Sequence, residues 1–381
     1  MRDVVILGST GSIGRQGLEI IAANSDKFRV IAISSAGTNP ALVIEQAKRF
    51  NVAFVGVLNN ADLIRAGLPG VKVIDGALAS TQIASIECDV VLNAITGSIG
   101  LGPTLAALDA GNTLALANKE SLVAGGELVM SKARENQIIP VDSEHSAIWQ
   151  CALAGKSDEI SRLVLTASGG PFLDRKDLGG ISVADALKHP TWSMGAVVTI
   201  NSATLVNKGL EIIEAHYLFS MPYSAIEAVI HRQSVVHSMV EFRDGSTIAQ
   251  ASPPNMKGAI AYALNFPHRL SQASPAIDWR ASHSWSFEPI NAARFPAVGL
   301  ARHCGEIGGA MPAIFNAANE IAVEAFIAEK IAFTSIVPLI ESVVTLSEKS
   351  APSTLRDLAD VSAIEDDARA LAQKHLIRLV S

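Results

Sequence analysis

A strand followed by three closely spaced glycines and then a helix opens the chain, and this pattern constrains the fold more than any other feature of the sequence. Residues 3–8 form a continuous apolar run, which includes Gly8, and Gly11 and Gly14 follow. Apolar residues then recur at helical spacing over residues 13–22. Glycines at such a turn let the backbone approach a pyrophosphate, whose charge the free amides at the start of the helix bind. The pattern therefore predicts a dinucleotide-binding βαβ unit.

Alternating strand and helix patterns continue to about residue 141. Strands are predicted at residues 28–34, 52–57, 71–74, 89–94 and 113–117, and helices at 41–50 and 103–110. Repeated units of this kind form a parallel sheet with helices on both faces. We therefore predict an α/β fold whose N-terminal part is a doubly wound, Rossmann-type parallel sheet.

The loop after the second predicted strand indicates which dinucleotide binds. An NAD-binding protein usually has an Asp or Glu there for the adenosine ribose, whereas this chain has Ser34, Ser35 and an acid-free segment at 36–39. These hydroxyls and a glycine, with Arg15 across the turn, suit a 2′-phosphate. The sequence therefore favours NADP over NAD.

Two carboxylates stand two residues apart after the apolar run at 138–141. If that run is a strand that continues, Asp142 and Glu144 point to one face. Converging carboxylates repel each other, and a divalent cation between them relieves the repulsion. The alternative is that Asp142 and Ser143 only cap the helix that follows, with Glu144 in its first turn.

A second dense set of polar residues lies further along the chain. In a helix that begins near Ser202, the side chains of Asn207, Lys208 and Glu211 share a face. The hydroxyl of Ser202, the amide of Asn207 and the ammonium of Lys208 are the kinds of donor that a phosphate needs. Lys208 and Glu211 could instead form an ordinary solvated ion pair, and Glu214 is a rival for any role given to Glu211.

Two loops in the middle of the chain are further candidates for ligand contacts. A predicted strand at 163–166 runs into the turn at 167–172, whose hydroxyl and amides suit a phosphate but also an ordinary turn. The aromatic segment at 188–195 either packs on its own domain or closes as a lid over a ligand. A further strand is predicted at 197–200.

Glu211 would complete a three-carboxylate site with Asp142 and Glu144. Oxygen ligands without His or Cys suit Mg²⁺ or Mn²⁺ rather than Zn²⁺. Because such a site needs no imidazole, we interpret His231 and His237 as residues of a sheet and not as metal ligands.

Composition argues against several classes of function. The net charge of -7 disfavours nucleic acid as a partner, and no apolar run is long enough to predict a membrane span. The three cysteines are widely spaced and odd in number, which fits a reducing compartment. The first residues enter a strand without a signal or transit pattern, so we expect a cytoplasmic protein.

The length of 381 residues indicates several domains. Residues 267–292 are rich in Ser and Pro and weakly periodic, which is typical of a linker. Helical spacing then dominates, including helices predicted at 311–329 and 363–379. We predict a dinucleotide-binding domain at 1–141, a central domain at 142–266, the linker, and a helical domain at 293–381.

Eight motifs occur along the chain in an order and approximate spacing that match one known family: GSTGSIG, ANKES, VDSEHSAI, SGGPF, HPTWSMG, NSATLVNKGLE, QSVVHSMV and NAANE. By these motifs the chain resembles the 1-deoxy-D-xylulose 5-phosphate reductoisomerases of non-mevalonate isoprenoid biosynthesis. The resemblance implies an NADPH-binding domain, a central catalytic and dimerising α+β domain, a linker and a C-terminal helical bundle, working as a homodimer.

The same resemblance assigns individual residues. Asp142, Glu144 and Glu211 match the ligands of a divalent cation, which is Mg²⁺, Mn²⁺ or Co²⁺. The positions that match contacts to a phosphorylated sugar substrate are Lys119, Ser143, Glu144, Ser168, His189, Ser202, Asn207, Lys208 and Glu211, and catalytic roles fall to Lys119, Glu144 and His189. The positions where the family holds NADPH are Thr10, Gly11, Ser12, Ile13, Gly37, Asn39, Asn118, Glu120 and Gly195.

The reaction implied is the NADPH- and metal-dependent rearrangement and reduction of 1-deoxy-D-xylulose 5-phosphate to 2-C-methyl-D-erythritol 4-phosphate. Two positions depart from the family pattern: Thr38 stands where many members have Lys or Arg, and Asn201 where an Asp is frequent. The first weakens the expected contact with the 2′-phosphate. Two rival hypotheses stay open, a metal-independent NADP-dependent dehydrogenase of another phosphorylated polyol and a non-catalytic regulator that senses NADP.

Overall fold

The chain divides into two compact units. A computed structural model describes residues 1–192 and 194–380. Unit 1 consists of Met1–Ser121, Val129–Ser146 and Asn255–Pro275, and unit 2 of Leu122–Leu128, Ala147–Pro254 and the described chain from Ala276 onward. Compactness thus groups residues 255–275 with the N-terminal part of the chain, although the predicted boundaries put them in the central domain and linker. The four-part division itself stays a prediction.

Unit 1 is built on a seven-stranded parallel sheet. Its strands are β1 (Arg2–Leu7), β2 (Phe28–Ser35), β3 (Phe54–Val57), β4 (Lys72–Asp75), β5 (Val90–Asn93), β6 (Thr113–Leu116) and β7 (Ile138–Pro140). They lie in the order β4-β3-β2-β1-β5-β6-β7, and every neighbouring pair is parallel. The predicted doubly wound α/β fold is confirmed. The order reverses between β1 and β5, and such sheets bind ligands outside the carboxyl ends of the strands at this point.

Helices alternate with these strands, as the sequence pattern predicts. They are α1 (Ser12–Ala23), α2 (Pro40–Phe50), α3 (Ala61–Gly67), α4 (Ala79–Ala84), α5 (Leu101–Asp109), α6 (Glu120–Lys132) and α7 (Ser143–Ala152). Parallel strands between two helical layers are covered on both faces, and Val4, Val5, Ile6 and Leu7 of β1 are accordingly fully buried.

Unit 2 contains a mixed sheet and most of the later helices. Its strands are β8 (Ile160–Ala167), β9 (Ile226–Ile230), β10 (Val236–Phe242), β11 (Thr247–Ala251) and β12 (Glu288–Pro289). Their order is β11-β10-β8-β9-β12, in which β8 and β9 are parallel and the other pairs antiparallel. The later helices are α8 (Val183–Ala186), α9 (Ala196–Thr204), α10 (Val206–Phe219), α11 (Met256–Asn265), α12 (Ala297–Ile307), α13 (Met311–Ile327), α14 (Ile336–Ser347) and α15 (Leu358–Val380).

One helix of unit 1 comes from late in the chain. Helix α11 carries an ion pair of 2.7 Å from Lys257 to Glu19 of α1. The guanidinium of Arg2, at the start of β1, donates to the carbonyl oxygens of Leu264 at 3.0 Å and Phe266 at 2.8 Å. These contacts hold the end of α11 against the first strand.

The C-terminal part of the chain is helical, and α13 and α15 confirm the two helices predicted there. Helix α13 is buried along most of its length, with Phe315 fully buried. Asn316 donates to Glu320 at 3.1 Å, and Arg369 of α15 donates to the same carboxylate at 2.9 Å. Asn316 and Glu320 of the NAANE motif therefore make helix contacts. In the part of the chain that the structure describes, no helix is long and apolar enough to cross a membrane.

The strand predicted at 197–200 is wrong, because these residues lie in α9. Their β-branched side chains favour a strand when considered alone. In the structure Thr199 and Ile200 are buried together with Ala203 and Thr204, a spacing that only a helix gives. Burial of this face overrides the local preference. The helix ends at Thr204. Its C-cap, Leu205, has a φ of 59° in the left-handed region, and α10 begins at the next residue.

Candidate active site

The glycine turn after β1 is a tight backbone structure at the carboxyl end of the sheet. Gly8 has a φ of +75°, and a Cβ there would lie 2.5 Å from the carbonyl oxygen of Ala94. The Gly11 amide donates to the Gly8 carbonyl at 3.0 Å. Helix α1 begins at Ser12, and its N-cap makes no side-chain hydrogen bond. The predicted cofactor residues 10–13 therefore lie at the start of a helix, a place that suits an anionic group.

The loop after β2 is held by its own serines. Ser34 is fully buried and accepts a hydrogen bond of 3.0 Å from Ser80, and the Ser35 hydroxyl accepts one of 3.1 Å from the Gly37 amide. The two hydroxyls therefore stabilise the loop. Thr38 is exposed, as is Arg15, so neither side chain is buried in the way that Ser34 and Ser35 are.

Gly37 and Asn39 shape the same loop. Gly37 has a φ of +74°, and a Cβ there would overlap the carbonyl oxygen of Asn59. The Asn39 side chain accepts a hydrogen bond of 3.2 Å from the Leu42 amide and so caps α2. Both predicted cofactor residues thus fix the backbone between β2 and α2.

Asn118 and Glu120 support a neighbouring loop. The buried Asn118 amide donates to the carbonyl oxygens of Ile95 at 2.6 Å and Gly97 at 2.8 Å, and Glu120 accepts from the Gly97 amide at 3.2 Å. Asn93, at the end of β5, donates to the Gly100 carbonyl at 3.0 Å. We did not predict this role of Asn93, and the available signal was an amide side chain at the end of an apolar strand.

The predicted strand geometry of Asp142 and Glu144 is wrong. Strand β7 ends at Pro140, and Glu144 lies in the first turn of α7. The Ser143 amide donates to Asp142 at 2.9 Å, and the Ser143 hydroxyl donates to Glu144 at 2.5 Å. The ammonium of Lys119 forms an ion pair with Asp142, and the two side chains are only 11% and 14% exposed. Unit 1 therefore gathers Lys119, Asp142, Ser143 and Glu144 at the end of β7.

The acidic residue of unit 2 lies in a buried polar group on α10. Asn207 and Lys208 both donate to the carboxylate of Glu211. The side chains of Lys208 and Glu211 are 3% and 1% exposed, so the alternative of a solvated surface pair is wrong. A buried ion pair carries a large desolvation cost and is weak evidence of a purely stabilising role. Glu214 is also buried on this helix.

Ser168 and His189 form the second polar group of unit 2. The Ser168 hydroxyl and His189 Nε2 are 2.9 Å apart, and His189 Nδ1 accepts from the amides of Thr191 at 3.1 Å and Trp192 at 2.9 Å. Because Nδ1 accepts, the neutral ring carries its proton on Nε2 and donates to Ser168. Burial lowers the pKa of His189, which favours this neutral form.

Gly170 brings the turn of Ser168 close to Ser202. Its φ is +67°, and a Cβ there would lie 2.8 Å from the Ser202 carbonyl oxygen. Arg294, which we did not single out from the sequence, donates to the carbonyl oxygens of Phe172 at 2.6 Å and of Arg175. Its partners lie 122 and 119 residues away in the chain, so no local pattern marks it.

The aromatic segment at 188–195 packs on unit 2 in this structure. Trp192 lies edge-on to His237, with ring centroids 6.0 Å apart. Gly195 is the exposed N-cap of α9, and Ser193 lies outside the described residues. Closure of the segment as a lid stays a prediction. His237 is a buried residue of β10, and His231 directly follows β9.

Family models cover most of the chain. The model described as 1-deoxy-D-xylulose 5-phosphate reductoisomerase matches residues 4–126, and the model of its C-terminal domain matches 138–219. A model described as the DXP reductoisomerase C-terminal domain matches residues 251–371.

Individual proteins match over nearly the whole length. The 1-deoxy-D-xylulose 5-phosphate reductoisomerase of Paenarthrobacter aurescens is 54% identical over 368 residues, which are 93% of each chain. That of Streptomyces avermitilis is 51% identical over 382 residues, 97% of each chain.

Solved structures agree with these matches. The Zymomonas mobilis enzyme in complex with NADPH is 39% identical, has a TM-score of 0.91, and is matched over 98% of this chain and 99% of that chain. A DOX-P reductoisomerase in complex with NADPH, fosmidomycin and magnesium is 37% identical with a TM-score of 0.92, over 100% and 99% of the two chains. With its predicted fold confirmed and relatives more than 50% identical over at least 93% of its length, the chain belongs to the 1-deoxy-D-xylulose 5-phosphate reductoisomerase family.

Proposed function

We propose that this chain converts 1-deoxy-D-xylulose 5-phosphate to 2-C-methyl-D-erythritol 4-phosphate, with NADPH and a divalent cation, in isoprenoid biosynthesis. Family membership over the whole chain supports this, as does the relative whose complex contains NADPH, fosmidomycin and magnesium. The observation in this chain that carries the proposal is the buried group of Asn207, Lys208 and Glu211. Burial of this ion pair carries a desolvation cost that a purely stabilising role explains poorly, whereas an anionic ligand and a cation would both use these groups.

Asp142, Glu144 and Glu211 are the residues that would hold the cation. All three offer carboxylate oxygens, which suit Mg²⁺ or Mn²⁺, with Co²⁺ as a further candidate. Each already accepts hydrogen bonds from neighbouring donors within its own unit, and such contacts orient metal ligands. A divalent cation, when bound, polarises a carbonyl and lowers the pKa of an adjacent hydroxyl.

The substrate phosphate would bind to Ser168, Ser202, Asn207 and Lys208. His189 donates its Nε2 proton to the Ser168 oxygen, which leaves the hydroxyl hydrogen of Ser168 for a phosphate oxygen. Lys208 has three donors and Asn207 two, and ammonium and amide donors of this kind are what phosphate oxygens accept from. Remote phosphate binding of this kind helps to hold the reacting carbons in position.

Lys119 and Ser143 would contact the reacting end of the substrate. The ammonium of Lys119 is buried beside Asp142, where it stabilises negative charge that develops on a substrate oxygen. Ser143 bonds both Asp142 and Glu144 and keeps the two carboxylates oriented. Glu144, His189 and Lys119 are thus the residues to which we assign catalytic roles.

NADPH would bind along residues 10–13 and 37–39, with Asn118, Glu120 and Gly195. The glycine turn supplies amides for the pyrophosphate, and the acid-free loop after β2 suits the 2′-phosphate. NADPH, when bound, supplies the hydride for the reduction. Assembly as a homodimer, a cytoplasmic location and lid closure stay predictions.

A single assay separates this proposal from its rivals. The purified chain is mixed with NADPH, 1-deoxy-D-xylulose 5-phosphate and Mg²⁺, and NADPH oxidation is followed by absorbance with and without EDTA. We expect oxidation that EDTA abolishes and excess Mg²⁺ restores. Oxidation that persists in EDTA would favour a metal-independent dehydrogenase, and NADPH binding without any oxidation would favour the regulator.

A further inference from the structure

Gln46 of α2 reaches back to the glycine turn. Its side chain is buried, with 6% exposure, and its Nε2 donates to the carbonyl oxygen of Ser9 at 3.0 Å across 37 residues of sequence. Ser9 is itself fully buried, and its amide donates to the Ser34 carbonyl at 2.9 Å. Ser9 is therefore held by β2 through its amide and by α2 through its carbonyl group.

Helix α2 is also fixed to the loop that precedes it. Asn39 caps the helix through the Leu42 amide, and its own carbonyl oxygen accepts from the Val43 amide at 3.3 Å. Gln46 lies about one turn beyond these contacts. The Gln46 amide thus connects α2, and with it the loop at 36–39, to the turn at 8–12. These are the two segments that would bind opposite ends of the adenosine diphosphate part of NADPH.

Loss of the Gln46 amide would leave a buried carbonyl group without its donor. Over residues 1–192 and 194–380, no other hydrogen bond to the Ser9 carbonyl is present. A buried carbonyl that lacks a partner is unfavourable, so the turn relaxes toward an alternative donor or water. Amides at a helix start bind an anion only at hydrogen-bond distance, and such relaxation displaces them.

We propose that Gln46 is a positioning residue for NADPH, which sets the glycine turn relative to the loop after β2. The inference rests on the proposed function, because it takes NADPH to be the ligand of the turn. Gln46 acts through Ser9 and has no assigned contact with the cofactor. It should therefore affect NADPH affinity and leave the chemistry of the substrate largely unchanged.

Gln137 offers a matched control in the same unit. It has the same 6% exposure, and its Nε2 donates to the carbonyl oxygens of Leu108 at 3.0 Å and Asn112 at 3.1 Å. It precedes β7, so it lies at the amino end of the parallel strands, opposite the edge where ligands bind. Loss of the Gln137 side-chain amide also removes buried hydrogen bonds, but these bonds do not involve the glycine turn after β1.

The test compares Gln46→Met with Gln137→Met and the wild-type chain. NADPH affinity is measured by titration of protein fluorescence, kcat and both KM values by steady-state kinetics, and folding by thermal melting. We expect Gln46→Met to raise Kd and KM for NADPH about tenfold, with kcat and the KM for the sugar phosphate within about twofold. Gln137→Met should lower Tm while leaving Kd for NADPH unchanged.

Each other outcome overturns a specific statement. A folded Gln46→Met protein with wild-type NADPH affinity overturns the positioning role, and so does equal weakening in the two variants, which would indicate general destabilisation. If Gln46→Met does not fold, Gln46→Leu, which is of similar size and also lacks a donor, is judged by the same criterion. A wild-type chain that binds no NADPH overturns the proposed function, whatever the variants do.

Discussion

The cofactor region of unit 1 and the polar group on α10 of unit 2 are built in different ways. In unit 1 the backbone conformation determines the structure of the region, because Gly8 and Gly37 have positive φ and lie where a Cβ would meet a carbonyl oxygen. In unit 2 side-chain contacts determine the structure of the group, because Lys208 and Asn207 both donate hydrogen bonds to the buried carboxylate of Glu211. The first region should be sensitive to an added methyl group and the second to a removed charge.

The most damaging change should be Glu211→Gln. It removes one carboxylate of the proposed cation site and breaks the ion pair between Glu211 and the buried Lys208 ammonium. We expect kcat to fall by about a thousandfold, while Kd for NADPH stays within about twofold because the glycine turn is untouched. Steady-state kinetics and an NADPH titration measure the two quantities.

The exposed Glu227 of β9 provides the control, since Glu227→Gln makes the same chemical change at the surface of unit 2. A Glu211→Gln protein with full activity would contradict the cation site. Equal loss of activity in the Glu211 and Glu227 variants would contradict a specific role for the buried carboxylate.

Gly8→Ala should cause the next largest effect and tests the backbone side of the contrast. The new Cβ meets the Ala94 carbonyl oxygen at 2.5 Å on a residue with φ of +75°. We expect the free energy of unfolding to fall by about 3 kcal/mol and NADPH binding to weaken strongly. Gly70 has a φ of +91° with no atom within 4 Å of its Cβ position, so Gly70→Ala should cost only about 1 kcal/mol. Urea unfolding of both variants checks the difference.

Acid should act on unit 2 through His237. Burial lowers the pKa of this histidine from 6.5 to about 4, so the unfolded chain takes up the proton first as pH falls. The stability from neutral His237 is complete above pH 6.5 and is lost as pH falls through about 4. We expect a loss of about 2–3 kcal/mol over this window.

All four tryptophans belong to unit 2, so their fluorescence during urea unfolding reports on this unit. His237→Gln should remove part of the pH dependence between 6.5 and 4. If the variant and the wild-type chain lose stability in parallel, His237 is not the group responsible.

The smallest predicted effect concerns Arg294. Its bonds to the carbonyl oxygens of Phe172 and Arg175 hold the segment just after Ser168 and Gly170. Arg294→Met should raise the KM for the sugar phosphate about threefold without changing the KM for NADPH. Arg280 forms an exposed ion pair with Asp278 in the segment before β12, so Arg280→Met should change neither value. If Arg294→Met raised the KM for NADPH by the same factor, a role limited to binding of the substrate phosphate would be contradicted.

The sequence predicted best what short-range pattern and backbone chemistry specify. The strand, glycine turn and helix at the start of the chain, and the parallel sheet that follows, came from periodicity and glycine spacing. The grouping of Asn207, Lys208 and Glu211 came from helical spacing, but their burial did not, because exposure depends on what packs over the helix.

The errors arose where tertiary contacts override local preference. Residues 197–200 have the β-branched composition of a strand, yet burial of Ile200 with Ala203 and Thr204 makes them helical. The strand geometry considered for Asp142 and Glu144 fails because β7 stops at Pro140, and Glu144 lies in the first turn of α7, as the alternative had it. Gln46 and Arg294 gave no signal at all, because each acts on a carbonyl group that is 37 or more than 100 residues distant.

The contact between Arg2 and the end of α11 has a consequence for biosynthesis. A ribosome makes the first strand early, but the segment 255–275 that completes unit 1 emerges only after about half of unit 2. Until then the face of α1 that meets α11 has no cover, and Arg2 lacks its acceptors. The N-terminal unit should therefore mature late, and a fragment that stops after α7 should be prone to aggregation even though it contains every strand of its sheet.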